Sequence, residues 1–217
     1  MIVTDAVRDY LDATRRPPDP LLAEMEAHGA RERIPILGPH SATLLHVLAR
    51  AIGARRIVEV GTAIGVSTLH LARALPPGGE LVSFEIDPAR HAAAQDYLER
   101  AGLAAAAGAR VDLRLQDARE GLAALEPPFD LAFLDGVKAE YEAYLERVVP
   151  LLRPGGLVAV DNVLMSGTVA EGRGDGHWSD EQVRTARAFN ARLLADPRLT
   201  GTITPVGDGI ALAVRVA

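Results

Sequence analysis

Hydrophobic and polar positions follow different periodicities in successive parts of the chain. Near residue 45 the apolar positions, among them Leu44, Leu45 and Leu48, recur at the spacing of one helix face. Farther along, short β-rich runs alternate with helical stretches, and the runs LAFL and LVAV are apolar at every position. Strands buried on both faces have this continuous apolar character, so the middle of the chain predicts a covered parallel sheet.

The pattern predicts helices and strands in a regular order. The N-terminal part has three predicted helices, at residues 5–14, 21–28 and 41–52. Five strands follow, at 56–60, 80–85, 110–115, 131–134 and 157–160, and the helices around them lie at 66–74, 88–101, 118–125 and 139–152. The chain then continues with a helix at 180–194 and two strands at 200–205 and 210–216, separated by Gly207-Asp208-Gly209.

Strands that alternate with single helices predict βαβ crossovers. The expected fold is therefore α/β and Rossmann-like, with helices on both faces of a mostly parallel sheet that ends in a C-terminal antiparallel hairpin. A chain of 217 residues is long enough for one complete core and short for two. We expect a single domain over 1–217, with an N-terminal helical segment at 1–40 and a loop at the AAAAG run, 104–108.

Composition excludes several classes of protein. Acidic residues outnumber basic ones by 29 to 23 and no basic run occurs, so a nucleic-acid partner is not expected. The absence of cysteine excludes disulfides, thiolate metal sites and a cysteine nucleophile. No apolar run approaches the roughly 18 residues of a membrane span, and the N-terminus lacks the form of a signal peptide, so we expect a cytoplasmic protein. The Ala- and Arg-rich composition suggests a bacterial source with a GC-rich genome.

The ends of the first three strands predict a nucleoside site. The segment IVEVGTAIGVST contains Gly61 and Gly65 in a G-x-x-x-G spacing, with Thr62 and Ala63 where a dinucleotide site has glycine. This favours a nucleoside without a pyrophosphate, the alternative being a glycine-rich turn that binds no ligand. Glu85 ends the second strand, where a carboxylate can accept hydrogen bonds from ribose hydroxyls or simply be solvated. After the third strand, Gln116, Asp117 and Ala118 are placed to border an adenine.

The fourth and fifth strands end in oxygen-bearing side chains. Asp135 ends the fourth strand, and Asp161 and Asn162 end the fifth. Carboxylates and an amide carbonyl, without His or Cys, are the ligands that a hard cation such as Mg²⁺ prefers. The alternative interpretation is an ion pair between Asp135 and Lys138 at a helix start, with Asp161-Asn162 as turn formers.

Lys138 bears on that choice. It is the only lysine among the 23 basic residues, so arginine serves at every other basic position. An arginine would serve equally well as a surface ion-pair partner, whereas only lysine can supply a neutral amine at a workable pH. The lysine at this strand end therefore favours a catalytic role.

Three segments carry a resemblance to a known family. IVEVGTAIGVST, FDLAFLDGVKAEYEAY and GGLVAVDNVLMSGTV resemble the corresponding segments of the metal-dependent O-methyltransferases, the group that contains the catechol and caffeoyl-coenzyme A O-methyltransferases. The similarity extends over about residues 35–217, through GPHSATLLHVLARAIGARR and FNARLLADPRLTGTITPVGDGIALAV.

The resemblance implies a seven-stranded methyltransferase sheet and an enzyme that transfers a methyl group from S-adenosylmethionine (SAM) to a hydroxyl of a catechol-like small molecule. The implied cofactor-binding residues are Leu37, Glu59, Gly61, Thr62, Ser67, Glu85, Gln116, Ala118 and Asp135. It implies Asp135, Asp161 and Asn162 as ligands of Mg²⁺, Mn²⁺ or Ca²⁺, and Lys138 as the general base. It also implies a homodimer in which segment 1–40 contributes to the substrate pocket or to the dimer contact.

Some positions depart from the family pattern or have no assigned role. Val137 lacks a polar group for a substrate contact, and Met165 replaces a common aromatic residue. The loop at 169–179 carries His177 and Trp178, and either roofs the active site or is a solvent loop with one anchoring aromatic. His40 is interpreted as an exposed histidine.

Three alternative functions follow from the same residues. A nicotinamide-dependent oxidoreductase would share the sheet, but the chain lacks the G-x-G-x-x-G spacing of such enzymes. A non-catalytic oligomeric partner would not need the full set of proposed ligands. A SAM-dependent methyltransferase with another acceptor, such as a carboxylate or a natural-product intermediate, remains open because loops decide acceptor choice.

Overall fold

One seven-stranded sheet organises the chain. The computed structural model describes residues 3–103 and 108–216. The strands are β1 Arg56–Val60, β2 Glu80–Glu85, β3 Arg110–Leu115, β4 Phe129–Leu134, β5 Leu152–Val160, β6 Leu199–Thr204 and β7 Ile210–Arg215. Their order is β3-β2-β1-β4-β5-β7-β6, and β7 runs antiparallel to both of its neighbours. The predicted fold, a mostly parallel sheet with a C-terminal antiparallel hairpin, is confirmed.

Nine α-helices are found in the described ranges. They are α1 Asp5–Thr14, α2 Pro20–Glu32, α3 Pro39–Ala51, α4 Val66–Ala74, α5 Pro88–Arg100, α6 Ala118–Ala123, α7 Tyr141–Leu151, α8 Thr168–Glu171 and α9 Asp180–Ala195, with short 3₁₀ turns at Lys138–Glu140 and Met165–Gly167. Side chains that accept from the first free amides start α2, α5 and α6 at Asp19, Asp87 and Asp117. Most of the loop expected at 104–108 lies outside the described residues.

Alternate strand residues face two different apolar cores. On one face, Val58, Ala132 and Val158 pack with residues of α6, α7 and α9. On the other, Ile57 and Leu131 pack with residues of α3 and α4. Helices therefore cover both faces, which explains why the central strands are apolar throughout.

Two strands begin earlier than their apolar runs. β4 starts at Phe129 and β5 at Leu152, although the apolar runs begin at 131 and 157. Leu152 pairs with Phe129 and Leu157 with Leu131, with a register shift between the two pairs. The RPGG segment between these pairs belongs to β5 and forms an irregularity in its pairing with β4. From its composition alone, RPGG would be expected to form a turn.

The sheet order places a crevice between β1 and β4. β1 pairs with β2 on one side and with β4 on the other, so the connections leave β1 and β4 towards opposite halves of the sheet. Ligands of open α/β sheets bind at such a switch point, outside the carboxyl ends of the strands. Val60 pairs with Leu134, and Leu134 with Val160, so the next residue of each strand lies at the same edge.

The two N-terminal helices differ in how they join the domain. α2 buries Leu22 and Met25, and its His28 hydrogen-bonds through Nδ1 to the Tyr97 hydroxyl of α5 at 2.9 Å. α1 buries none of its residues. Among the described residues, no helix combines the length and apolar character needed to cross a membrane.

Candidate functional site

A cavity of about 380 Å³ opens at the carboxyl edge of the sheet. Its walls come from the ends of β1, β2 and β4, from the loops that follow β3 and β5, and from Pro35 and Ile36 of the N-terminal segment. Of the predicted site residues, it brings together Gly61, Glu85, Gln116, Ala118, Asp135, Lys138, Asp161 and Asn162. Four others, Leu37, Glu59, Thr62 and Ser67, are buried and do not line it.

The loop after β1 passes very close to the loop after β4. Gly61 has φ +94°, and a Cβ at this position would lie 2.3 Å from the carbonyl oxygen of Asp135. Only glycine allows that approach. The glycine predicted to permit a sharp turn therefore also lets the two halves of the site touch.

Glu85 holds this loop in place. Its side chain accepts hydrogen bonds from the amides of Ala63, at 2.8 Å, and of Ile86 and Asp87, each at 2.9 Å. The residue is only 7% exposed, yet it lines the cavity. An ionised carboxylate has about four acceptor positions, so three amides leave roughly one for a ligand.

Glu59 lies fully buried beneath the same loop. Its Oε2 accepts from the hydroxyls of Thr68, at 2.5 Å, and Ser83, at 2.6 Å, while its Oε1 has no partner. Thr62 lies 2.6 Å from Ser83, whose own hydroxyl hydrogen is used on Glu59, so Thr62 is the donor. Burial raises the pKa of Glu59, and the hydroxyl donors oppose this. These residues form a polar support behind the cavity wall.

The far wall of the cavity contains a network that the sequence analysis missed. Arg119 forms an ion pair with Asp117, at 2.6 Å, and another with Glu140, at 3.1 Å. The Tyr144 hydroxyl donates to Glu140 at 2.5 Å. The network links the loop after β3 to the segment that carries Lys138. Arg119 and Glu140 lie on separate elements, so no local pattern in the sequence indicates their pairing.

The sole lysine pairs with the acid at the end of β4. The Lys138 ammonium donates to Asp135 Oδ1 at 3.0 Å, and lies 3.4 Å from the carbonyl oxygen of Gly136. Burial raises the pKa of Asp135, whereas the neighbouring ammonium lowers it. The ion pair considered in the sequence analysis is thus present, and it lies inside the cavity rather than on the surface.

Asp161 is a buried acid with an unsatisfied oxygen. It is 5% exposed, and its buried Oδ1 has no hydrogen-bond partner. Burial and the nearby charge of Asp135 raise the pKa of Asp161. The next residue, Asn162, has φ +59°. In the part of the chain that the structure describes, no three His, Cys, Asp or Glu residues are grouped as metal ligands, so a cation here would rely on two carboxylates and an amide.

Four residues without an assigned role lie outside the cavity wall: His40, Met165, His177 and Trp178. His40 Nε2 lies 2.8 Å from Asp12 Oδ1, which joins α3 to α1. Trp178 packs with Met165 in a small apolar cluster, and the ring of His177 contacts that of Trp178. This favours the interpretation of loop 169–179 as a loop with an anchoring aromatic.

The amino-acid sequence is similar to those of known O-methyltransferases. Residues 17–216 match a family model described as "O-methyltransferase". A relative named catechol O-methyltransferase, from Niastella koreensis, is 37% identical over 187 residues, which cover 82% of this chain and 81% of the relative.

Solved structures of similar proteins have the same fold, and two of them contain SAM or S-adenosylhomocysteine (SAH). An O-methyltransferase from Bacillus cereus in complex with SAH has a TM-score of 0.82 and 32% identity, covering 97% of both chains. The O-methyltransferase TomG from Streptomyces achromogenes, involved in tomaymycin synthesis and in complex with SAM, has a TM-score of 0.79 and 32% identity, covering 98% of this chain and 96% of TomG.

Proposed function

The chain belongs to the O-methyltransferase family and is a SAM-dependent O-methyltransferase, and on this premise we propose that it methylates a hydroxyl of a catechol-like small molecule with the help of a divalent cation. The observation that carries the proposal is the unsatisfied Oδ1 of Asp161 beside Asp135 and Asn162. Two neighbouring buried carboxylates repel each other, and a cation between them would relieve both the repulsion and the missing contact.

The residues present fit a hard cation. Asp135, Asp161 and Asn162 offer oxygen atoms only, which suits Mg²⁺, Mn²⁺ or Ca²⁺. Three protein ligands leave about three octahedral positions, enough for two vicinal oxygens of an acceptor. When bound, the cation would lower the pKa of an acceptor hydroxyl.

The proposed cofactor-binding residues divide into those that touch the cavity and those that support it. Gly61 and Asp135 line the cavity where their loops meet, and Glu85 has acceptor capacity left for ribose hydroxyls. Gln116 and Ala118 line its opposite end, where we place the adenine. Glu59, Thr62 and Ser67 would act from behind, and Leu37 from the buried start of the N-terminal wall.

Lys138 is the proposed general base. Its ammonium group donates to Asp135, and Lys138 lines the same cavity as Asp161 and Asn162. As a neutral amine it would accept the proton of the acceptor hydroxyl. The protein then holds the oxygen and the sulfonium methyl of SAM at reacting distance, which is its main contribution to the rate.

Segment 1–40 is proposed to shape the acceptor end or a homodimer contact. Pro35 and Ile36 line the cavity, and α1 exposes Val7, Tyr10 and Leu11. The mass of the protein in solution, measured by light scattering, tests the dimer.

Methyl transfer from SAM to a panel of catechols, with Mg²⁺ and then with excess EDTA, tests the proposed function. We expect turnover that EDTA removes and Mg²⁺ restores. Turnover that EDTA leaves unchanged would contradict the metal. SAM binding without turnover on any catechol would contradict the acceptor, and would favour another natural-product acceptor, as the apolar Val137 in the cavity wall allows.

A further inference from the structure

The chain leaves β5 through a strained segment, residues 161–167, which we call the exit loop. It begins with the proposed cation ligands Asp161 and Asn162. Three of its non-glycine residues have left-handed backbone: Asn162 with φ +59°, Met165 with +45° and Ser166 with +55°. Such conformations are costly for side chains with a Cβ, and persist only where the surrounding structure imposes them.

Hydrogen bonds to the turn between β6 and β7 hold Met165 and Ser166 in this conformation. The amides of Leu164 and Met165 both donate to the carbonyl oxygen of Asp208, at 2.9 and 3.1 Å, and the amide of Val163 donates to that of Gly209 at 3.1 Å. The Ser166 hydroxyl donates to Asp208 Oδ1 at 3.0 Å. Four consecutive residues of the exit loop are therefore held by two residues of the turn.

The turn is in close contact with the exit loop on one side and with α3 on the other. A Cβ on Gly209, at φ +86°, would lie 2.5 Å from Cγ of Leu164 in the exit loop. A Cβ on Gly207 would lie 2.5 Å from Oγ of Ser41, which is buried in α3. The Gly207-Asp208-Gly209 sequence thus does more than reverse the chain, because its glycines allow close contact on two sides.

Two further contacts complete the support of the exit loop. Asn190 of α9 donates through Nδ2 to the carbonyl oxygen of Val163 at 2.7 Å. The Tyr141 hydroxyl of α7 donates to that of Asp161 at 3.1 Å. These bonds act on the backbone, so the exit loop has little freedom to rotate Asp161 or Asn162 away from the cavity.

We propose that Asp208 is a positioning residue for the cation site: through the turn it holds the exit loop so that Asp161 and Asn162 face the cavity. Asp208 does not line the cavity and would touch neither cation nor substrate. Partners that orient metal ligands from behind typically contribute 10–100-fold to metal affinity. The inference rests on the proposed function, because it assigns a role toward the proposed cation.

Asp208 also contributes charge. Its carboxylate adds a negative charge to the turn that contacts the exit loop. Loss of the Ser166–Asp208 side-chain hydrogen bond and loss of the charge are separate effects, and neither removes the backbone hydrogen bonds to the carbonyl oxygens of Asp208 and Gly209. Asp208→Asn removes the charge and keeps an oxygen that can accept from Ser166, whereas Ser166→Ala removes that hydrogen bond and keeps the charge. Asp208→Ala removes both.

The experiment is a titration of Mn²⁺ into the complete chain saturated with SAH, followed by electron paramagnetic resonance or calorimetry. SAH affinity and Tm are measured for every variant. Glu99→Gln, an exposed change of the same charge on α5, is the matched control. We expect Asp208→Ala to weaken Mn²⁺ binding about 10-fold or more. Ser166→Ala and Asp208→Asn should each give a smaller loss, and SAH affinity should stay within about twofold of wild type in all variants.

The outcomes separate this inference from the proposed function. Wild-type protein that binds no Mn²⁺ would overturn the proposed cation and the inference with it. Wild-type binding with unchanged Mn²⁺ affinity in Asp208→Ala would overturn the inference alone. Equal losses of Mn²⁺ and SAH affinity would also overturn it, because they would indicate general unfolding rather than positioning.

Discussion

Two buried acids at neighbouring strand ends, Glu85 and Asp161, are treated very differently by the fold. They are 7% and 5% exposed, so both have lost most of their contact with water. Glu85 accepts hydrogen bonds from three backbone amides. Asp161 has one oxygen with no partner and lies beside a second acid, Asp135. In the half of the site around β1 and β2, Glu85 is therefore satisfied by backbone donors alone, whereas in the half around β4 and β5 the Oδ1 of Asp161 is not.

This difference in hydrogen bonding between Glu85 and Asp161 indicates different roles for the two halves of the site. Hydrogen bonds from backbone amides to Glu85 fix the loop after β1, so little of that loop must be ordered when SAM binds. Unsatisfied charge around Asp161 costs folding free energy, and such sites are retained where a ligand or a reaction uses them. The contrast leads to four predictions, in which substitutions in one half should leave the other half largely intact.

The largest effect is expected from Asp161→Ala. Without this oxygen ligand, activity should fall to that of wild-type enzyme in EDTA, because the cation would have only one carboxylate. The measurement is initial rate against Mg²⁺ concentration, with SAH binding by calorimetry as the control for the β1–β2 half. A variant that Mg²⁺ still stimulates with unchanged half-saturation would refute the ligand assignment.

Lys138→Ala should lower turnover by roughly 10²–10⁴-fold, the usual contribution of a general base. SAH affinity should remain near that of the wild type, because the substitution changes neither Glu85 nor the loop after β1 that contains Gly61. Lys138→Arg serves as the matched variant: it keeps the positive charge beside Asp135 but cannot supply a neutral amine. Full activity in either variant would exclude proton transfer by Lys138.

Glu85→Gln should weaken SAM binding about 10–100-fold, since a hydrogen bond to a charged group is worth about 1.5–3 kcal/mol. It should also lower Tm, because the amide cannot accept from all three backbone N–H groups as the carboxylate does. Turnover at saturating SAM should change much less than the affinity. A large loss of turnover at saturation would mean that the two halves are not independent.

The smallest effect, and the sharpest test of the comparison, is on stability. Burial raises the pKa of Asp161 to about 8. Above that pH, Asp161→Asn removes one of two neighbouring buried charges, so without metal it should raise Tm, by ~2–4 °C for each 1 kcal/mol gained. Glu85→Gln has the opposite expected sign. Thermal unfolding of both variants in EDTA gives the comparison, and a Tm decrease in both would show that Asp161 is satisfied after all.

Much of the fold follows from local patterns. The predicted bounds of β1, β2, β3, α1 and α4 agree with the structure, because caps, breakers and apolar periodicity mark those ends. The start of β5 does not, since Leu152 is a strand residue only through its pairing with Phe129. Helix α7 also starts later than expected, after the 3₁₀ turn that holds Lys138.

The candidate site divides in the same way. Residues directly after strands, such as Gly61, Asp135 and Asp161, were identifiable because parallel strands end at one edge. The positions of Glu59 and Ser67 behind the cavity wall were not, since strand periodicity does not show which way a loop folds over them. The pairing of Arg119 with Glu140 was also not apparent, because it joins helix α6 to the 3₁₀ turn after β4.

By itself, the sequence determined which residue types stand at the strand ends, the order of the elements and the single lysine among them. Only the tertiary structure decided which of those polar groups have hydrogen-bond partners and which do not. Asp208 and Ser166 are 42 positions apart, yet they form one hydrogen bond that braces the exit loop. The physical reason is range: periodicity and capping act over a few residues, whereas burial and the pairing of polar groups depend on which distant segments the packed sheet brings together.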